Sequence, residues 1–178
     1  MRIHAFLLLV LFTAPALLNA QKTEQESRTP KSTFPQPALD FLEGSFPGGS
    51  RARYYEEQNE AGRFLEAKFN YQGYRYSVKF EPSGKLHDIE RLLPNSDSLP
   101  RQVGEALQRQ LSARFSRYKI KRLQEQLSPG GELLGYEIEI KAKEEGQAFQ
   151  YFEVQTSPQG EWQSVRAIEQ RPNDFLFF

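Results

Sequence analysis

Residues 67–89 read AKFNYQGYRYSVKFEPSGKLHDI, and this stretch decides the fold. Tyr74, Tyr76, Val78 and Phe80 alternate with Arg75, Ser77, Lys79 and Glu81, the period-two signature of a sheet with one buried face. Leu65, Ala67, Phe69 and Tyr71 alternate in the same way just upstream, and Gln72-Gly73 and Pro82-Ser83-Gly84 are the turns between strands. A second version runs through residues 136–168, YEIEIKAKEEGQAFQYFEVQTSPQGEWQSVRAI, in which Gly146, Pro158 and Gly160 stand where Gly73, Pro82 and Gly84 stand in the first. The last strand of each version departs from period two: Leu86, Ile89 and Leu92 in one, Trp162, Val165 and Ile168 in the other. Apolar residues three apart in an extended stretch predict a bulge.

Working outward, further strands are expected at Arg51–Gln58, Tyr118–Leu127 and Leu133–Lys143. Each group of strands follows a helix. Ala38, Leu39, Phe41 and Leu42 recur at helical spacing after Pro37, and Phe46-Pro47-Gly48-Gly49 stops that helix. Val103, Ala106, Leu107, Leu111 and Phe115 form one stripe of a second, amphipathic helix, for which Ser98 is the expected N-cap. The expected fold class is therefore α+β, a tandem repeat of one helix plus a four-stranded antiparallel sheet (αββββ twice), with the helices packed on one sheet face. Residues 34–93 are the first repeat and 94–170 the second. Whether the two sheets are continuous is open at this level.

The N-terminus reads differently. Arg2 precedes an almost unbroken apolar run from Ala5 to Leu18, and Leu18-Asn19-Ala20 ends it with small residues. That is the layout of a secretory signal peptide over residues 1–20, cleaved near Ala20. The alternative, a membrane anchor, needs a run of about 20 apolar residues without the break at Pro15. Residues 21–33 are polar and are expected as a flexible leader; residues 171–178 form a C-terminal tail that ends in Phe175-Leu176-Phe177-Phe178. The expected location is periplasmic or secreted, with no integral membrane segment in the mature chain.

Composition excludes several kinds of chemistry. The chain has no cysteine, so thiol catalysis and disulfides are absent. Lys and Arg total 23 against 23 Asp and Glu, an even balance that argues against nucleic acid as a partner. Beyond the leader the chain holds one histidine, His87, read as an ordinary surface or edge side chain rather than a base or ligand. Glu137, Glu139, Lys141 and Lys143 are the outward positions of one strand and are expected to form a solvated face. No catalytic set, metal site or cofactor loop is found, so no enzyme activity, metal or cofactor is expected. The candidate partner-binding residues are aromatic and basic. If Phe152 and Val154 face the core, Phe149 and Tyr151 face the other way, and Tyr55 emerges on that side beside Arg53. Either these side chains form a binding surface, or Phe177 and Phe178 cover them, or the strand register differs from the one assumed.

Leu133–Ile140 with Gln147–Ile168, and Phe64–Phe69 with Tyr74–Ile89, resemble the PepSY-like, beta-lactamase-inhibitor-like proteins of bacterial cell envelopes. The resemblance implies a non-catalytic exported module whose open sheet face binds a protein or peptide. It supplies no binding residues, and a cysteine-free chain departs from the disulfide-bearing inhibitory proteins proper. The alternative is a periplasmic carrier of a small apolar ligand or lipid, held in a void lined by Tyr74, Tyr76, Phe80 and Leu107.

Overall fold

A computed structural model describes residues 25–59 and 61–169; the expected signal peptide with its cleavage site, and the C-terminal tail, lie outside them. Among the described residues there are nine strands: β1 (Gln25–Thr29), β2 (Ser50–Asn59), β3 (Gly62–Tyr71), β4 (Tyr74–Phe80), β5 (Leu86–Leu92), β6 (Arg117–Leu127), β7 (Leu133–Lys143), β8 (Gln150–Thr156) and β9 (Trp162–Ile168). Helix α1 spans Gln36–Ser45 and α2 spans Arg101–Arg114. The strands lie in sequence order, each antiparallel to the next, in one sheet.

This corrects the expected architecture. The chain does not build a repeat of one helix plus a four-stranded sheet; it builds a single nine-stranded antiparallel sheet with two helices. Two joints account for the difference. β5 pairs with β6 through Glu90↔Gln126, Arg91↔Glu125 and Leu92↔Gln124, which satisfies backbone groups that two separate sheets would leave open along two edges. β1 lies inside the segment expected as a flexible leader, yet pairs with β2 from Gln25↔Gln58 to Thr29↔Tyr54. A backbone ladder needs no apolar side chain, so its QESRT sequence carried no periodic signal.

Alternation then sorts the side chains. Leu65, Ala67, Phe69, Tyr76, Val78, Phe80 and Ile89 are buried together with Ala38 of α1. Leu123, Ile138, Ile140, Phe152 and Val154 are buried with Val103, Leu107 and Leu111 of α2. Leu123 and Leu127, on the same side of β6, belong one to each cluster, so both helices cover the same face. Aromatic edges tie the first cluster, with Phe46 against Phe69 at 5.0 Å and against Tyr76 at 5.1 Å.

The first three-residue spacing of each last strand is a bulge. The second is regular strand, which puts Leu92 across from Arg75 and Ile168 across from Tyr151, on the face away from the helices. Lys79 pairs with Asp88 but Phe80 with Leu86, leaving His87 as the extra residue; Gln155 pairs with Ser164 but Thr156 with Trp162, leaving Gln163. Each bulge lets two apolar residues three apart face the same helix side. Gly160 (φ 85°) brings its turn against α2, where an added Cβ would meet Val103 at 3.2 Å. Gln110 of α2 straps that turn, donating to the Gly160 carbonyl at 2.8 Å and accepting from the Trp162 N–H at 3.1 Å. The helix start differs from expectation: Pro100 is the N-cap and makes no side-chain cap bond. Asn95 instead accepts from the Asp97 N–H, capping a short 3₁₀ turn over Ser96–Ser98.

Candidate functional site

Because both helices share one face, the alternate residues of every strand meet on the other, where no described helix or strand lies over them. On β2–β5 these are Tyr55, Glu57, Phe64, Glu66, Lys68, Ser77, Lys79, Asp88 and Glu90. They interlock. Lys79 Nζ lies 2.8 Å from Glu57, and Lys68 Nζ lies 3.0 Å from Glu66 and 2.7 Å from Glu26. Ser77 donates its hydroxyl to Glu66, and the Asn59 amide donates to Glu57 at 2.6 Å. Lys68 also sits 4.8 Å above the Tyr55 ring, and the His87 ring packs on Phe64 at 4.5 Å.

The protonation behaviour follows from this packing. Burial pushes the Glu66 carboxyl upward, but Lys68, Lys79 and the Ser77 bond outweigh burial and hold it below its usual range. Burial would strip the proton from Lys79, yet Glu66, Asp88, Glu57 and Glu90 hold it on. Asp88 goes the other way. Burial and the neighbouring Glu90 carry it from 3.8 to about 7, against the pull of Lys79, and its Oδ1 is buried without a hydrogen bond. His87 is held below its usual value by burial and by Lys79.

β6–β9 carry a second set. Arg166 Nε donates to Glu153 at 2.9 Å, Gln124 donates to Glu137 at 3.5 Å, and Arg122 approaches Glu139 at 4.0 Å. Glu137, Glu139 and Glu153 are buried, at 7%, 3% and 0% exposure. The expectation of a solvated face therefore fails for Glu137 and Glu139 and holds for Lys141, which is exposed. What the strand pattern omitted was the partner set: Arg122 and Gln124 lie across from them on β6, and a charge can be buried once it is paired.

The four candidate residues fall into two places. Arg53 is exposed and Tyr55 buried beneath the Lys68 ammonium, both on β2. Phe149 is 49% exposed and Tyr151 half-buried, with Lys141 Nζ 5.8 Å and 5.7 Å from their rings. Phe152 and Val154 are buried on the helix side. Six strand spacings separate β2 from β8, roughly 29 Å along the sheet, so the residues make two patches and not one. Among the described residues the lining expected for an apolar carrier does not enclose a cavity. Tyr74 is exposed, Tyr76 and Phe80 pack with α1, and Leu107 packs with α2. The narrow space under α2 between Leu99, Val103, Leu107 and Tyr136 has no room for a ligand. Among the described residues no helix is long and apolar enough to cross a membrane, and no group of three or more His, Asp or Glu is placed to hold a metal ion.

No family model and no curated protein matches the sequence. Solved structures do match. A DUF2874 family protein from Bacteroides ovatus superposes with a TM-score of 0.58 at 18% identity, over 81% of this chain and 98% of that one. A BLIP-like protein from Bacteroides fragilis gives 0.56 at 14% identity, over 79% and 90%. A Bacteroides eggerthii protein provisionally described as periplasmic gives 0.56 at 17%, over 75% and 88%. At these identities the likeness is one of fold. It meets the inhibitor-like side of the sequence resemblance and not the PepSY-like side.

Proposed function

We propose that the chain is a non-catalytic, exported binding module that takes up a protein or peptide on the sheet face opposite its helices. The observation that carries this reading is the content of that face. It is broad and continuous over the strands, and it carries charged and aromatic side chains held in place by cross-strand partners, the composition of protein-binding surfaces. The fold likeness to a BLIP-like protein supports a binding role, and the likeness to a provisionally periplasmic protein, with the apolar N-terminal run, supports export after cleavage near Ala20. Nothing on the described surface assembles a nucleophile with a base and an orienting partner, which hydrolytic chemistry requires.

The test is capture of partners from the exported fraction by the wild type, by Phe149→Ala/Tyr151→Ala and by Arg53→Ala/Tyr55→Ala, with each variant checked for cooperative unfolding. The reading expects a partner retained by the wild type and lost with at least one pair. Equal recovery by both double variants would remove this face from consideration.

A further inference from the structure

One corner of the same face breaks the pattern of matched charges. At the start of β6 and the end of β7, Arg117 lies across from Lys143 and Lys119 across from Lys141. Like charges placed directly opposite one another are destabilising. Elsewhere on this face each buried carboxylate has a cation or amide beside it, but no described carboxylate lies within ion-pair distance of these four side chains. Three acids of the neighbouring strand positions are engaged elsewhere: Glu139 with Arg122, Glu153 with Arg166, and Glu144 with Arg114 at 3.0 Å. Lys121, the extra residue of a bulge between Ile120 and Arg122, adds a fifth cation, exposed as Arg117, Lys119 and Lys141 are, while Lys143 is half-buried. Along the β8 side run Phe149 and Tyr151, both in reach of Lys141.

We infer that this corner is the docking site for an acidic peptide segment of the partner, bound extended, with carboxylates at alternating positions. This rests on the binding-module reading and names the chemistry of its partner. The two cation pairs are two residues apart along their strands, about 7 Å. Same-side residues of an extended peptide repeat at the same distance, so each carboxylate of an acidic-x-acidic run sits between one pair and relieves its repulsion. The aromatic side chains give the peptide's flank an apolar edge, and Phe149 is placed to be covered on binding. A larger polyanion is disfavoured. On the β2–β5 half of the same face Lys68 and Lys79 are held against Glu26, Glu57 and Glu66, so a bilayer or duplex lying across the sheet would meet cations already matched by the chain's own carboxylates. One exposed aromatic is also too little for interfacial anchoring in a membrane.

The test uses the purified protein and fluorescein-labelled octapeptides read by fluorescence anisotropy. One peptide carries glutamates at alternate positions, an isomer carries them contiguously, and a third has glutamine in their place. Phosphatidylglycerol vesicles form a fourth arm. The alternating peptide is expected to bind, more weakly as salt rises, and Lys119→Gln/Lys141→Gln to weaken it about tenfold or more. Arg101→Gln/Arg109→Gln, on the exposed side of α2, should leave binding unchanged. Because the Lys119 and Lys141 substitutions remove a repulsion, their Tm should not fall, which separates lost binding from lost folding. Equal binding of the contiguous isomer, preference for vesicles, an unaffected double variant, or no peptide binding at all would each overturn the inference. Partner capture sensitive to Phe149 and Tyr151 without peptide binding would keep the binding-module reading and discard this occupant. Peptide binding with capture equally insensitive to both the Phe149/Tyr151 and the Arg53/Tyr55 double variants would do the opposite.

Discussion

Replacing Asp88 by asparagine is expected to stabilise the protein at neutral pH and to change little in acid. In the folded chain Asp88 faces Lys79 across the β4–β5 ladder, with Glu90 on its own strand and Glu66 and Glu57 beyond. Burial and these carboxylates raise its pKa from 3.8 to about 7, so between those values the folded state holds a proton that the unfolded chain has released. Stability from this group is present in full below about pH 4 and is lost as pH climbs through about 7. At about 1.4 kcal/mol per tenfold change in proton affinity, the ceiling is about 4 kcal/mol. The side chain is 33% exposed, and solvent screening brings the expected gain to about 1–2 kcal/mol. Asparagine keeps the shape and removes the titration, while Lys79 retains Glu57 at 2.8 Å. Urea unfolding followed by the fluorescence of Trp162, the only tryptophan, would be measured from pH 4 to 8.5. The advantage of Asp88→Asn should grow from near zero at pH 4 and level off above pH 7.5. A difference that is constant across this range, or one that favours the wild type at pH 8, would refute the argument.

Three other outcomes are expected. Lys79→Met should destabilise by about 3 kcal/mol at neutral pH, because Glu57 and Glu66 are 1% and 4% exposed and lose a shared cation; the loss should shrink on titration toward pH 4 as those carboxylates take up protons, which the same urea series would show. Gly135→Ala should cost about 3 kcal/mol or lower the yield of folded protein, since its Cβ would overlap the Thr156 carbonyl oxygen of the neighbouring strand; Gly130→Ala, whose nearest neighbour is the Ser128 hydroxyl at 3.7 Å, is the matched control. Arg91→Ala should cost about 1–3 kcal/mol and raise amide exchange in β5 and β6, because Arg91 donates to Glu125 across that joint and covers the Tyr74 ring at 4.9 Å.

How far the amino-acid order alone could be read depends on which interaction sets each feature. Where alternation decides, the reading succeeds: Tyr76, Val78 and Phe80, then Phe152 and Val154, are buried on the side their period requires, and the three-residue spacings around His87 and Gln163 are bulges. Where backbone pairing between distant segments decides, it does not. The β5–β6 joint rests on three residue pairs with no shared motif, and β1 is recruited by an open edge, so one continuous sheet replaced the expected repeat. The polar face was legible as a face but not as a network. Glu57, Glu66 and Glu153 look like ordinary outward carboxylates in a strand. Only the register that sets Lys79 across from Glu66, and Arg166 across from Glu153, turns them into buried ion pairs. Phase alone puts Phe149 and Tyr151 on the face away from the helices, whereas the opposed pairs of cations beside them emerge only from the β6–β7 register.

Sequential strand order also bears on how the molecule is made. Every strand but β6 reaches its earlier neighbour through a short reversal or, for β2, past α1, so most of the sheet can zip up by local closure with little entropy spent on distant encounters. A chain emerging from one end could lay down one hairpin after another without waiting for its far end. The exception is the step from β5 to β6, which must first carry α2 across. That single closure is where assembly should hesitate, leaving the earlier strands formed and their outer margin briefly bare.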